Sequence, residues 1–135
     1  MSKFSKILLV DDDVITVMIC KRMFQITDFA DEVVSLTNGQ DALNYIKNNL
    51  HHAEQLPDII FIDLNMPVMN GWEFLERFKR LRLPENKMPI IYILSSTVDS
   101  SDQMKGLSYS FVKNFFSKPL TKEHLQNIKQ KLLVS

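Results

Sequence analysis

The sequence is short of several features that would commit it to particular protein classes. It has a single cysteine, Cys20, which excludes an internal disulfide framework and suits a reducing compartment. It has no excess of charge: 16 Lys and Arg balance 16 Asp and Glu, so nothing points to a nucleic-acid or anionic-membrane partner. Long apolar runs are missing too. The longest, residues 7–10, 59–62 and 90–94, fall far below the about 20 residues that cross a bilayer. Lys3 and Lys6 before the first run give a faint outline of a signal peptide. That run ends on three aspartates with no small-residue cleavage site, so it reads as a first strand of a cytoplasmic protein. There is no repeat, low-complexity tract or linker, and 135 residues suffice for one domain, 1–135, but not for two.

What is present is alternation. Short β-branched runs at 6–10, 32–36, 58–62, 89–94 and 114–117 are separated by segments with helical spacing. Ile15, Met18, Ile19, Met23 and Ile26 predict one buried helical stripe, and Ala42, Leu43, Ile46 and Leu50 a second. Phe74, Leu75, Phe78 and Leu81 predict a third, and Leu125, Ile128 and Leu132 a last. Between them, residues 98–110 are polar and offer mainly Met104 and Leu107 as anchors. Thr37-Asn-Gly-Gln40 has the capping-box pattern, Asn70-Gly-Trp-Glu73 resembles it with Asn as the cap, and Thr121 suits the start of the final helix. Five strands alternating with five helices predict an open parallel α/β sheet with helices on both faces. The first, third and fourth strands lack polar alternation, as central strands should, and the second and fifth suit the edges. This is compatible with the flavodoxin-like order 2-1-3-4-5.

Ligands of such sheets sit at the carboxyl ends of the strands. Here those ends carry Asp11-Asp12-Asp13, Asp63, Ser95 and Lys118. If the first and third strands are neighbours, about 4.8 Å apart, their terminal carboxylates converge. Together they repel one another unless a cation intervenes. Oxygen-only ligands in a partly open site suit Mg²⁺. Asp63 follows the most apolar strand and is the candidate nucleophile toward phosphorus, with Lys118 neutralising phosphoryl oxygens. Blander readings stand beside these. The aspartates after the first strand also suit a turn and helix cap, and Lys118 a solvated surface position.

The stretches Ile7-Leu-Leu-Val-Asp-Asp-Asp13, Phe61-Ile-Asp-Leu-Asn-Met-Pro-Val-Met-Asn-Gly71, Pro89-Ile-Ile-Tyr-Ile-Leu-Ser-Ser96 and Phe115-Phe-Ser-Lys-Pro119 fall in order along almost the whole chain. Together they resemble the receiver domains of two-component response regulators, of the single-domain chemotaxis-regulator type. The resemblance implies a (βα)5 three-layer sandwich and a Mg²⁺-dependent switch. Asp63 is then the phosphoacceptor, Asp12 a direct metal ligand, Asp11 a ligand through water, and Asn65 a backbone-carbonyl ligand. Lys118 contacts the phosphoryl group, and its bond to Pro119 is expected to be cis. Ser95 is the switch hydroxyl and Phe115 the aromatic that turns inward with it, while Pro67 and Gly71 shape the loop. Read alone, Ser95 equally satisfies a strand end and Phe115 equally fills core. The implied donor is a histidine kinase or histidine phosphotransfer protein contacting the first helix and active-site loops. With no output segment after the last helix, the expected role is a stand-alone regulator, monomeric or dimerising on phosphorylation, that acts by docking to a downstream protein and is not itself an enzyme. Ser95, Ser96, Phe115 and Asn70 stand where many members have Thr, Ala, Tyr and Asp.

Two other functions compete with this one. A haloacid-dehalogenase-type phosphatase would use Asp11 as nucleophile and Asp13 as acid/base, leaving Asp63 without a role. A phosphorylation-independent binding module would have no need to retain every acid and the lysine. His51 and His52 read as solvated loop residues, Cys20, Met18 and Met23 as packing, and Trp72 as either packed on the active-site loop or partly exposed.

Overall fold

The computed structural model describes residues 3–97 and 99–133. Five strands, β1 (Phe4–Val10), β2 (Ala30–Leu36), β3 (Ile59–Asp63), β4 (Ile90–Ser95) and β5 (Val112–Ser117), form one sheet in the order β2-β1-β3-β4-β5, and every pair is parallel. The helices α1 (Val14–Ile26), α2 (Gly39–Asn48), α3 (Gly71–Phe78), α4 (Ser100–Leu107) and α5 (Lys122–Leu133) alternate with them. This is the parallel α/β sheet that the alternation predicted, in the flavodoxin-like order expected of the fold class. Among the described residues no helix is long and apolar enough to cross a membrane.

Because side chains of a strand alternate between faces, the apolar runs supply two cores at once. Leu8, Val10, Ile60, Ile62, Ile91 and Ile93 point to one face, where α2 and α3 close over them with Leu43, Ile46, Phe74 and Phe78. Ile7, Leu9, Ile59, Phe61, Tyr92 and Leu94 point to the other, under α1 and α5 with Cys20, Phe24, Leu125 and Ile128. Each large side chain so buried contributes about 1.5–3 kcal/mol. β1, β3 and β4 are therefore covered on both sides. β5 alternates and lies at an edge; β2 is partly exposed along its whole length at the other edge.

Local chemistry sets the helix starts. Asn70 makes the full capping box with Glu73, and Thr121 Oγ1 accepts from the His124 amide at 3.1 Å. At α2 the cap is Asn38, accepting from the Asp41 amide at 2.8 Å, so the box predicted at Thr37 is displaced by one residue. Asp99 caps α4; Val98, where the sequence opens that segment, lies outside the described residues.

Two predicted stripes are corrected. On α1 the residues facing the sheet are Thr16, Cys20 and Phe24, whereas Ile15 (67% exposed), Met18 (66%) and Ile26 (48%) face away from it. The helix is apolar on most of its circumference, and the bulkier stripe is the outward one. On α4 the expected anchors Met104 and Leu107 are exposed at 75% and 48%. That helix approaches the sheet through Gly106, where an added Cβ would lie 2.6 Å from Ile93 Cδ1. A backbone pressed this closely has no room for a side-chain anchor.

Candidate phosphoacceptor site

The strand ends bring their polar residues to one edge of the sheet. Val10 and Ile62 are paired in register, so Asp11 and Asp63 follow side by side. Asp11 is fully buried, its amide donating to Leu36 O at 3.0 Å and its Oδ1 accepting from the Asp13 amide at 2.9 Å. Asp63 is the last residue of β3 and is 3% exposed, while Asp12 is open to solvent. One carboxylate oxygen from each of Asp11, Asp12 and Asp63 lies within 4.8 Å of the others.

Asp13 does not join them. Its carboxylate caps α1, accepting from the Ile15 amide at 3.2 Å and the Thr16 hydroxyl at 2.7 Å. Of the three consecutive acids the third thus takes the capping role and the first two face the pocket. The phosphatase arrangement would need Asp13 beside the reacting group, whereas its carboxylate is spent on the cap of α1.

Lys118 follows β5, with its amide held by Ser95 O at 2.8 Å and its peptide to Pro119 cis. Its ammonium stands 2.8 Å from Asp11 Oδ2 and 3.1 Å from Asp63 Oδ2. The Lys118 ammonium is the group that faces the buried Asp11 Oδ2, which makes no other polar contact among the described residues. Burial pushes the Asp63 carboxyl above its ordinary range, the charge of Asp11 pushes the same way, and Lys118 only partly offsets them. Burial alone would lower the Lys118 ammonium, but Asp11 and Asp63 outweigh it and hold the group above its usual value. Three carboxylates facing one ammonium leave negative charge in excess, part of it buried on Asp11 and Asp63. A hard divalent cation answers that excess, and oxygen ligands beside a solvent-open Asp12 suit Mg²⁺. The residues present fit that ion.

The remaining predicted residues surround this pocket. Asn65 sets its amide 3.4 Å from Asp63 Oδ1. Ser95 is 1% exposed, and its hydroxyl oxygen accepts from the Thr97 amide at 3.2 Å. Phe115 is buried on the α2–α3 face, its ring beneath Gly106 of α4, so it already occupies the interior. Gly71 donates to Leu64 O at 3.0 Å, and an added Cβ there would run into the backbone of Asp63 and Leu64. Only a residue without a side chain lets α3 begin directly under the acceptor strand. Pro67 is exposed and precedes Val68, which sits at φ 68°. Sequence reasoning missed that strained residue, and also the bond from the Gly39 amide to Met69 O (2.8 Å) that ties α2 to the loop. Neither has a local sequence signal, since both depend on how distant segments meet. His51 and His52 are exposed and lie outside the site, and Trp72 is half-buried beneath the Lys105 ammonium, 4.3 Å from its ring.

The match to known proteins decides the family. The response regulator receiver domain model covers residues 7–130. This chain belongs to that family. Its receiver fold is similar to the crystal structure of a two component response regulator from Cytophaga hutchinsonii, with 37% identity, a TM-score of 0.88, and coverage of 99% of this chain and 100% of the other. The "Probable methanogenesis regulatory protein FilR2" of Methanothrix harundinacea is 31% identical over 89% of this chain and 76% of its own length. The "Hybrid signal transduction histidine kinase L" of Dictyostelium discoideum is 31% identical over 93% of this chain, which spans only 7% of that protein. Receiver domains of this family bind Mg²⁺ at an acidic pocket, interact with histidine kinases or phosphotransfer proteins, and serve as phosphoacceptors in two-component signalling.

Proposed function

We propose that this receiver domain, acting as one unit over its whole length, takes a phosphoryl group from a phosphohistidine onto Asp63. The observation that carries the reading is the position of Asp63 between a 3.1 Å lysine contact and two further carboxylates with a surplus of negative charge. In the transfer a carboxylate oxygen of Asp63 attacks phosphorus, the P–N bond to the donor imidazole breaks, and the imidazole leaves with that electron pair. Asp11, Asp12, Asp63 and the backbone carbonyl of Asn65 would hold Mg²⁺, which when bound neutralises charge on the phosphoryl oxygens. Lys118 neutralises a further oxygen, and its ion pair with Asp63 is exchanged for one with the phosphoryl group.

The product is a compact dianion beside β4. Ser95 gives up the Thr97 amide and donates its hydroxyl to a phosphoryl oxygen, and Phe115, inside already, keeps the space under α4 filled in that state. The switch is a population shift, and driving it from mostly off to mostly on takes about 5.5 kcal/mol of differential interaction. Charge-assisted hydrogen bonds of this kind supply much of it. The surface formed by β4, α4 and β5 is then the one a downstream protein reads. The donor docks on the exposed apolar side of α1, where Val14, Ile15 and Met18 lie next to the acidic pocket. The match to a region of a histidine kinase supports a donor of that class.

The test is mass mapping of the acceptor after treatment with acetyl phosphate, with Mg²⁺ or with chelator. Label on Asp63 that requires Mg²⁺ and disappears in Asp63→Asn is the expected result. Label on Asp11, or unchanged labelling of Asp63→Asn, overturns the assignment. Lys118→Ala should retain some label while phosphorylation no longer alters partner affinity.

A further inference from the structure

On the far side of the sheet from α2 and α3, a cavity of about 150 Å³ lies between β5 and α5, and none of the acidic-pocket residues lines it. Its walls are hydrocarbon: the rings of Tyr92 and Phe116 with Ile128 and Leu132. A space of this size admits one benzene-sized ring and no peptide segment.

The polar groups around it are unusual in kind. Tyr92 is 3% exposed, and burial pushes its hydroxyl up to about 12, so the O–H is a donor throughout the physiological range. That hydroxyl makes no hydrogen bond to a described residue, and Tyr92 lines the cavity, so the O–H is available to a ligand there. His124 stacks on Phe116 with ring centroids 4.7 Å apart, and its Nδ1 accepts from the Thr121 amide at 3.2 Å. A backbone amide only donates, so the neutral imidazole carries its proton on Nε2, which is left free. Asn114 spends its Oδ1 on the Phe115 amide and keeps its NH₂ unspent. Lys113, Asn127 and Lys131 complete the rim, and among the described residues no carboxylate lines the cavity.

An apolar slot one ring deep, with a hydroxyl donor and two ammonium groups at its border, complements one chemistry. We propose that this cavity binds a small single-ring aromatic carboxylate, its ring against Phe116 and Ile128 and its carboxylate against the Tyr92 hydroxyl, His124 and the two lysines. Seated there, the ligand touches β4, β5 and α5 at once and braces α5 against the sheet. The site stands apart from phosphorylation and does not depend on Asp63.

Titration of the ¹⁵N-labelled chain with benzoate, followed by NMR, tests it, with benzamide and acetate as probes of the same ring without charge and the same charge without ring. Saturating shifts centred on Tyr92, Phe116 and His124 are expected for benzoate. Both controls should bind more weakly, and Tyr92→Phe should weaken benzoate about tenfold, the effect of one hydrogen bond to a charged group. Tyr92→Phe removes an oxygen that bonds no described residue, so folding is retained, and Lys131→Gln gives an independent loss at the exposed rim. Shifts that rise linearly without saturation, that centre elsewhere, or that are equal for benzamide and unchanged in both variants overturn the site.

Discussion

The carboxyl group of Asp63 titrates above its ordinary range because burial deprives it of water and Asp11 adds a second negative charge beside it. A carboxylate whose pKa is raised in the folded state binds its proton more tightly folded than unfolded, so stability falls as pH rises from about 3.9 through the raised folded value. Above that value the whole cost is present. Asp63→Asn removes it, and the variant should melt higher than the wild type at neutral pH, by about 4 °C for each kcal/mol relieved, with the difference closing as pH falls. Thermal melts across pH in chelator check this; a variant that melts lower at neutral pH contradicts it. Val68 carries a different cost. At φ 68° and 79% exposed, it holds a β-branched side chain in the left-handed region and gains no packing in return. Val68→Asn should stabilise by about 1 kcal/mol in urea melts, since asparagine tolerates that region and, unlike glycine, adds little unfolded-state entropy.

Helix α1 shows how an element carries two apolar faces for two purposes. The face with Thr16, Cys20 and Phe24 packs on the sheet; the face with Ile15 and Met18 meets solvent beside the acidic pocket. Ile15→Ser should therefore shift unfolding free energy by no more than about 0.5 kcal/mol, whereas Phe24→Ala should cost about 3–5 kcal/mol. If the outward face receives the phosphodonor, Ile15→Ser should also slow transfer from a phosphohistidine protein while leaving acetyl phosphate labelling intact. A large loss of stability in Ile15→Ser would return that residue to the core. The same helix marks the limit of what the sequence discloses. The strands and the pocket acids were legible because run length, strand-end position and residue type act locally, whereas the strand order came as an expectation of the fold class. The packing face of α1 was not, because a helix apolar nearly all round gives no contrast for periodicity to read. The α4 anchors failed for a related reason: Gly106 makes contact by lacking a side chain, and no pattern of apolar residues records that.

At the scale of the whole molecule, net charge is zero, yet the acidic pocket gathers negative charge in excess at one end of the sheet. Folding alone must assemble that repulsion, so a ligand that relieves it is linked to stability and not only to signalling. A cation held by Asp11, Asp12 and Asp63 binds the folded chain and has no such site in the unfolded one. Mg²⁺ at a hundredfold excess over its Kd should then stabilise the fold by about 2.7 kcal/mol. The increment should vanish with chelator, fall away as acid protonates the ligands, and be largely lost in Asp12→Ala, whose solvent-exposed side chain contributes little else. Sodium chloride at matched ionic strength should give almost none of it, because screening weakens a buried cluster far less than a surface one. Calorimetry of the wild type and Asp12→Ala under these conditions separates a shared metal cavity from acids that are merely neighbours. An equal rise in both proteins would mean that the three carboxylates do not act on one ion.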